Sequence, residues 1–355
     1  MTVHKKINII LLGLGKVGQE LANQVLTSRS RLQKDRHLEL GFTTLADSRA
    51  VLHAASGLTD QQIRTAITQK AAGYSLADLP ASQAAASLNN LLHAGSILVD
   101  TTASVETMPL ILSALHNGCG VVLANKHPLS APWEQASPLF GHPRLRCEAT
   151  VGAGLPVMAA LRDLLATGDT VTAIQGCLSG TLGFLCTRLE QGVSYSAAVN
   201  EARQLGYTEP DPRQDLSGLD VARKAVILAR TAGMPLEMDN LPIEKLYSDQ
   251  LASLSLDDFL TNIGSLDEVF QQRLQPALAE GMVPRYVARI SAGKAAIGLE
   301  MAAKSSALGA LQGPDNYFAL TTARYADTPL VIAGPGAGVA VTAAGVFSDI
   351  LHLAV

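Results

Sequence analysis

Asp220 and Lys224 stand four residues apart in a stretch with helical periodicity, Leu219 to Thr231, so both side chains lie on one helix face. At about 100° per residue, Val221, Leu228 and Thr231 fall within roughly a third of a turn of them, while Arg223 and Arg230 point to the other flank. A lysine half-buried beside a carboxylate suits proton transfer, because desolvation and charge pairing both tune its pKa. The same spacing also describes an ordinary surface ion pair worth roughly a few tenths of a kcal/mol. Just upstream runs Gly206-Tyr-Thr-Glu-Pro-Asp-Pro-Arg-Gln-Asp-Leu-Ser-Gly218. Pro210 and Pro212 fix an extended loop and restrict the residues before them. Glu209, Asp211 and Asp215 project from that loop, and Asp215 or Ser217 can cap the helix that follows.

A second chemical signal lies near the start of the chain. Gly13-Leu-Gly15-Lys-Val-Gly18 matches G-x-G-x-x-G, follows the apolar run Ile7 to Leu12 and opens a helix from Val17 to about Ser28. In that context Gly13 makes the tight turn, Gly15 lets the backbone approach a pyrophosphate, and Gly18 lets helix pack on strand. The amides at the helix start, from Lys16 and Val17 onward, supply donors and a positive dipole end for phosphates. The cofactor is therefore expected to be NAD or NADP. The second strand ends at Ala46-Asp47-Ser48-Arg49, where the signals conflict. An acidic Asp47 suits the ribose hydroxyl of NAD, although it lies farther from the glycines than usual, and Arg49 suits the 2′-phosphate of NADP.

The elements that must position these residues change character along the chain. Strand candidates at 7–12, 38–46, 96–99 and 121–124 alternate with helices, including Val105 to Asn117 closed by Gly118. That alternation predicts a doubly wound parallel sheet of Rossmann type. Beyond about Trp133, helices at 155–165, 182–191, 194–204 and 219–231 mix with strands at 170–178, 284–290 and 317–322. This predicts a second α+β domain for substrate and dimerisation. The expected division is 1–132 for the dinucleotide-binding domain, 133–333 for the second, and 334–355 for a glycine-rich loop and helix, Val339 to Leu353, returning to the first.

A chain of 355 residues fits two domains, and 48% hydrophobic with 16% charged residues is ordinary for a folded protein. The formal charge of −4 argues against nucleic acid or an anionic membrane as the main partner. Cys119, Cys147, Cys177 and Cys186 show neither CxxC pairing nor metal spacing, as expected of buried thiols in a reducing compartment. The run Ile7 to Leu14 is too short to span a bilayer. A cytoplasmic enzyme of small metabolites is expected.

The segment Gly206–Lys224 resembles the signature of homoserine dehydrogenases. So do Glu148-Ala-Thr-Val-Gly-Ala-Gly-Leu-Pro156, Leu178-Ser-Gly-Thr-Leu182, Asn125-Lys126 and Val341-Thr-Ala-Ala-Gly-Val346, in the family's order. The last third, with Gln312-Gly-Pro-Asp-Asn316 and Gly334–Gly338, is most similar to the dehydrogenase halves of bifunctional aspartokinase–homoserine dehydrogenases. The expectation is such a half without the kinase, weakly inhibited by threonine or not at all. The resemblance implies NAD(P)-dependent interconversion of L-aspartate 4-semialdehyde and L-homoserine, on the route to threonine, methionine and isoleucine. It makes Lys224, oriented by Asp220, the general acid that protonates the alkoxide left by hydride delivery, and the base in the reverse direction. Lys126 would bridge cofactor and substrate, Glu209 would hold the substrate ammonium, and Asp215 would support that network. Thr102, Gly336 and Gly338 would meet cofactor. Glu148 with the carbonyls of Val151, Ala153 and Leu155 matches the family's site for a monovalent cation, sodium or potassium. A homodimer through the second domain's sheet is implied as well.

Two positions depart from the family. Gly183-Phe184 stands where many members carry Ser-Tyr, and Asp47 replaces a common asparagine. Two other readings compete. One is a different Rossmann reductase of amino-acid metabolism, such as aspartate-semialdehyde dehydrogenase, which needs an activated cysteine nucleophile. The other is a non-catalytic nucleotide sensor, which could dispense with Lys224 and Glu209.

Overall fold

The structure, a computed structural model, describes residues 4–354, the side chains of 84–87 excepted. Its chain divides into two compact units, residues 1–156 with 338–355, and residues 157–337. The expected division after residue 132 falls inside the first unit, because the segment that follows still feeds the first sheet.

That sheet is built from β1 (Lys5–Leu12), β2 (Leu38–Ala46), β3 (Ala50–His53), β4 (Ser82–Ala84), β5 (Ile97–Asp100), β6 (Gly120–Leu123) and β7 (Leu145–Arg146), in the order β4-β3-β2-β1-β5-β6-β7. The pairs β1–β2, β1–β5, β5–β6 and β6–β7 are parallel. β3 and β4 form an antiparallel edge. Ile9, Ile10 and Leu11 are fully buried, as a strand covered on both faces must be. Strand order reverses beside β1, which puts the end of that strand at the topological switch point where such sheets bind ligands. Before residue 117 the α-helices of this unit are α1 (Lys16–Arg36), α2 (Asp60–Ala71) and α3 (Met108–His116). α1 runs past its expected end to a left-handed His37, because Leu32 continues its apolar stripe.

The second unit carries α4 (Val157–Ala166), α5 (Gly180–Glu190), α6 (Tyr195–Gln204), α7 (Leu219–Thr231) and α8 (Asp267–Ala279). Its strands are β8 (Val171–Cys177), β9 (Met282–Ser291), β10 (Lys294–Ala303), β11 (Asp315–Thr322) and β12 (Leu330–Pro335). They form an antiparallel sheet in the order β10-β9-β8-β11-β12. Ile174, Ala288, Ile297 and Phe318 share the buried face. On the other face Leu308 packs over Cys177, Val287 and Tyr317. α9 (Val339–Leu353) belongs to the first unit. A Cβ on Gly154 would come within 2.6 Å of the Val341 carbonyl, and one on Gly345 within 2.5 Å of the Ala153 carbonyl. Two motif glycines are thus required by the close docking of α9.

Candidate active site

The glycine loop after β1 divides its work among three positions. Gly13 sits at φ 86°, and a Cβ there would lie 2.8 Å from Thr102 Cγ2. Gly18 presses against the Gly13 carbonyl, where a Cβ would overlap the oxygen. A Cβ on Gly15 would meet nothing within 4 Å among the described residues, so a ligand can approach the backbone. Gly15 is also the N-cap of α1, with no side-chain cap and no acidic residue in the first turn. The amides of Lys16 and Val17 therefore keep their positive end for an anion.

Residues outside the motif hold this loop. The Thr101 hydroxyl donates toward the Gly13 carbonyl at 2.6 Å. The fully buried Asp100 accepts from the Thr102 amide at 2.9 Å and from Asn125 Nδ2 at 3.0 Å. Asn125 Oδ1 in turn accepts from the His127 amide at 3.1 Å, which fixes the turn carrying the half-buried Lys126. Thr101 and Asp100 are site residues that no spacing rule points to. The signal available was their place at the end of the strand next to β1.

Asp47 does not present a free carboxylate. Its oxygens accept from the amides of Arg49 and Ala50, both at 2.9 Å, from Leu76 at 2.8 Å, and from Lys70 Nζ at 2.9 Å. Burial alone would raise its pKa; the bonds from Leu76, Lys70, Arg49 and Ala50 outweigh that and hold the carboxyl far below the usual range. Asp47 therefore ties the β2–β3 turn to the segment at 75–76, while Arg49 stays exposed.

Glu148 is buried, and its amide donates to Asp349 of α9 at 2.6 Å. Beyond it Gly152 and Ala153 take positive φ of 82° and 56°, which turns the backbone sharply between Val151 and Leu155. Among the described residues no group of three or more His, Cys, Asp or Glu side chains could hold a metal. A cation here would depend on one carboxylate and backbone carbonyls.

In the second unit, α7 carries the pair expected of it. Lys224 Nζ lies 2.8 Å from Asp220 Oδ2 and donates to the Leu178 carbonyl at 2.7 Å. Only 12% of the Lys224 side chain is exposed, against 45% for Asp220. An ammonium has three protons; with two directed at protein acceptors, one remains for a substrate oxygen. The helix start is shared: Gly218, at φ 71°, is the N-cap of α7 without a side-chain bond of its own, and the Ser217 hydroxyl accepts from the Leu219 amide at 3.3 Å. Asp215 turns away from the helix and accepts from the Glu209 amide at 2.8 Å. The Thr181 hydroxyl bridges Asp215 Oδ1 at 3.0 Å and the Tyr207 carbonyl at 2.5 Å. Burial raises the Asp215 pKa against the bonds from Glu209 and Thr181, and the charges of Glu209 and Asp220 raise it further. The Glu209 side chain is exposed and pairs with no cation among the described residues.

Asp211 is set apart from this group by Arg213, which binds both its oxygens at 3.0 Å. Arg230, expected on the other flank of the helix, is buried there and donates to the Leu236 carbonyl at 3.0 Å and to Glu237 at 2.7 Å. The Gly183-Phe184 departure also has a packing account. A Cβ on Gly183 would lie 2.9 Å from the Gly313 carbonyl, and the Phe184 ring packs on Tyr207 at 5.0 Å. Gly336 lies in the second unit against the Asn316 side chain, and Gly338 starts α9 in the first.

Both units match known proteins of one family. The family model "Homoserine dehydrogenase, NAD binding domain" matches residues 13–141, and the model "Homoserine dehydrogenase" matches residues 156–351. The chain is 37% identical to a bifunctional aspartokinase/homoserine dehydrogenase of Zea mays over 97% of its own length and 38% of that protein's. It thus spans about two fifths of the length of such bifunctional relatives. It is 41% identical to a homoserine dehydrogenase of Paracoccidioides brasiliensis over 73% of this chain and 74% of that one. A solved structure described as a putative homoserine dehydrogenase from Archaeoglobus fulgidus superposes with a TM-score of 0.78 at 26% identity, covering 98% of each chain. A glycine loop at the sheet's switch point and a lysine–carboxylate pair in the second unit thus sit inside matches that run nearly end to end: the chain belongs to the homoserine dehydrogenase family.

Proposed function

We propose that this chain interconverts L-aspartate 4-semialdehyde and L-homoserine with NADP, using Lys224 as the proton-transfer group. The observation that carries the reading is the charge of the second unit's site. One lysine stands beside Asp220, and the carboxylate of Glu209 lies close enough to help raise the pKa of the buried Asp215. That excess of negative charge suits the α-ammonium of an amino acid. The nicotinamide, when bound, supplies or accepts the hydride. Lys224, held by Asp220 and the Leu178 carbonyl, gives its proton to the developing alkoxide, or removes it in oxidation. Glu209 holds the ammonium, and Asp215 with Thr181 fixes the Glu209 backbone. Lys126, on the turn anchored by Asn125, lies between cofactor and substrate in this reading. Thr102, Gly336 and Gly338 flank the cofactor.

The preference for NADP rests on Asp47. Its carboxylate is spent on the β2–β3 turn and Lys70, so it is a poor ligand for a ribose hydroxyl, and the exposed Arg49 is left to pair with a 2′-phosphate. A hard monovalent cation at Glu148 and the carbonyls of Val151, Ala153 and Leu155 is a further part of the proposal. So is a homodimer on the sheet face carrying Ala173, Gln175 and Ala296, in the cytoplasm. No helix among the described residues is long and apolar enough to cross a membrane. A cysteine-nucleophile reductase finds no support: all four thiols are buried, and burial pushes that of Cys186 up to about 12.

Steady-state oxidation of L-homoserine with NAD and NADP side by side tests the proposal. Turnover with both and a higher kcat/KM for NADP is expected, and no turnover with either would sink it. Arg49→Ala should lower kcat/KM about 10- to 100-fold with NADP and leave NAD unchanged. Equal losses with both would remove Arg49 from the coenzyme site.

A further inference from the structure

Asn316, the second residue of β11, stands opposite Gly334 of β12, on the same face as the fully buried Phe318 and Leu320. Its side chain is itself fully buried, and neither Oδ1 nor Nδ2 has a hydrogen-bond partner among the described residues. Each atom exposes less than 1 Å², so no water-sized probe reaches either. A carboxamide brings two donors and an acceptor, and leaving all of them unmet in the interior costs free energy that native proteins rarely spend. The carboxamide lies directly against Gly336, where a Cβ would overlap Asn316 Cγ and Nδ2. The neighbourhood reaches the reacting groups. A Cβ on Gly180, at the start of α5, would lie 3.0 Å from the Pro314 carbonyl and 3.8 Å from Ala337 Cβ. Two residues before Gly180, the Leu178 carbonyl takes the bond from Lys224.

We propose that Asn316 is a positioning residue for the Gly334–Gly338 loop: on coenzyme binding the loop backbone shifts and pairs with the Asn316 carboxamide, a pairing the free protein withholds. This rests on the reading that the loop flanks the coenzyme. Glycines allow the shift at small steric cost, and Gly334 and Gly338 already sit at φ of 148° and 122°. The unmet bonds of the free form are then strain that coenzyme binding relieves, so that loop placement and coenzyme affinity are coupled.

The test compares wild type with Asn316→Leu, which keeps the branched shape and removes the polar atoms, and with Asn316→Ala, which adds no bulk. Hydrogen exchange of residues 334–338 is followed with and without NADPH, together with Tm and steady-state constants. Free N316L should melt at or above wild type, by up to about 2–4 °C, because an unmet polar group has been removed. NADPH should protect the loop in wild type and not in either variant. The coenzyme KM should rise about tenfold in both, with the homoserine KM unchanged. The proposal is overturned if N316L melts well below wild type while N316A keeps loop protection and coenzyme KM, or if both variants keep them. Loop exchange unaffected by NADPH in wild type itself would remove the reading beneath the proposal, and the proposal with it.

Discussion

The proposed function asks different things of the glycine loop of the first unit and the lysine site of the second. In that reading the first binds through backbone, at Gly15 and the amides opening α1, while nearby side chains hold the turns around it, Thr101 and Asp100 beside the glycine loop and Asp47 at the β2–β3 turn. The second works through side chains in the same reading, with backbone supporting them at the Leu178 carbonyl under Lys224 and the Glu209 amide on Asp215. A backbone site is vulnerable to added atoms, a side-chain site to removed ones. The two should fail in opposite ways when mutated.

The largest expected effect is at Lys224. Lys224→Ala should lower kcat by about 10²- to 10⁴-fold, the usual contribution of a general acid, with NADPH affinity by fluorescence titration unchanged. Near-normal turnover, or a parallel loss of coenzyme binding, would erase the division of labour. Next comes a contrast within the glycine loop. Gly18→Ala should destabilise the fold by about 1–3 kcal/mol through overpacking against Gly13. Gly15→Ala should leave the Tm in place, since nothing lies within 4 Å, yet raise the coenzyme KM. Denaturant melts of the pair decide it, and equal destabilisation would mean that Gly15 too is a packing residue. Glu209→Gln should raise the homoserine KM about tenfold, as expected for a lost charged hydrogen bond, without touching the coenzyme KM. A matching rise in the coenzyme KM would remove Glu209 from ammonium binding.

The smallest effect is a pH dependence. Asp215 has a folded pKa above its unfolded value, so the native state holds its proton longer than the unfolded chain. Stability owed to the neutral form is complete below the unfolded value of about 3.9 and is lost as pH rises through the folded pKa. Asp215→Asn, which still accepts from the Glu209 amide, should therefore gain on wild type as pH rises from below about 3.9 toward neutrality. A Tm difference that stays constant with pH would mean that neither burial nor the charges of Glu209 and Asp220 hold the Asp215 proton in the native state.

Much of this was legible in the sequence where one local rule governed. β2 and α9 have the bounds their apolar patterns predict, and Asp220 and Lys224 meet as helical spacing requires. β10 escaped because Lys-Ala-Ala-Ile-Gly-Leu-Glu-Met-Ala-Ala has few β-branched residues. α8 escaped because its apolar stripe is weak and Pro276 interrupts it. Within the site, Asp47 is the instructive case. Its type and place at a strand end suggest a ribose ligand, but its partners Lys70, Ser75 and Leu76 lie 23 to 29 residues away in sequence. Thr181 stood within the Leu178–Leu182 match without a role for the same reason, since only the fold brings it to Asp215, 34 residues on.

The return of α9 to the first unit also sets an order of assembly. Residues 157–337 form an uninterrupted stretch that can complete its contacts as soon as it leaves the ribosome. The dinucleotide-binding unit cannot. Its glycine turn at 152–154 waits for Val341 and Gly345, its sixth strand for Leu353, and the Glu148 amide for Asp349. During synthesis the half made first is therefore finished last, and its exposed parallel strands must stay soluble until the final helix has been translated.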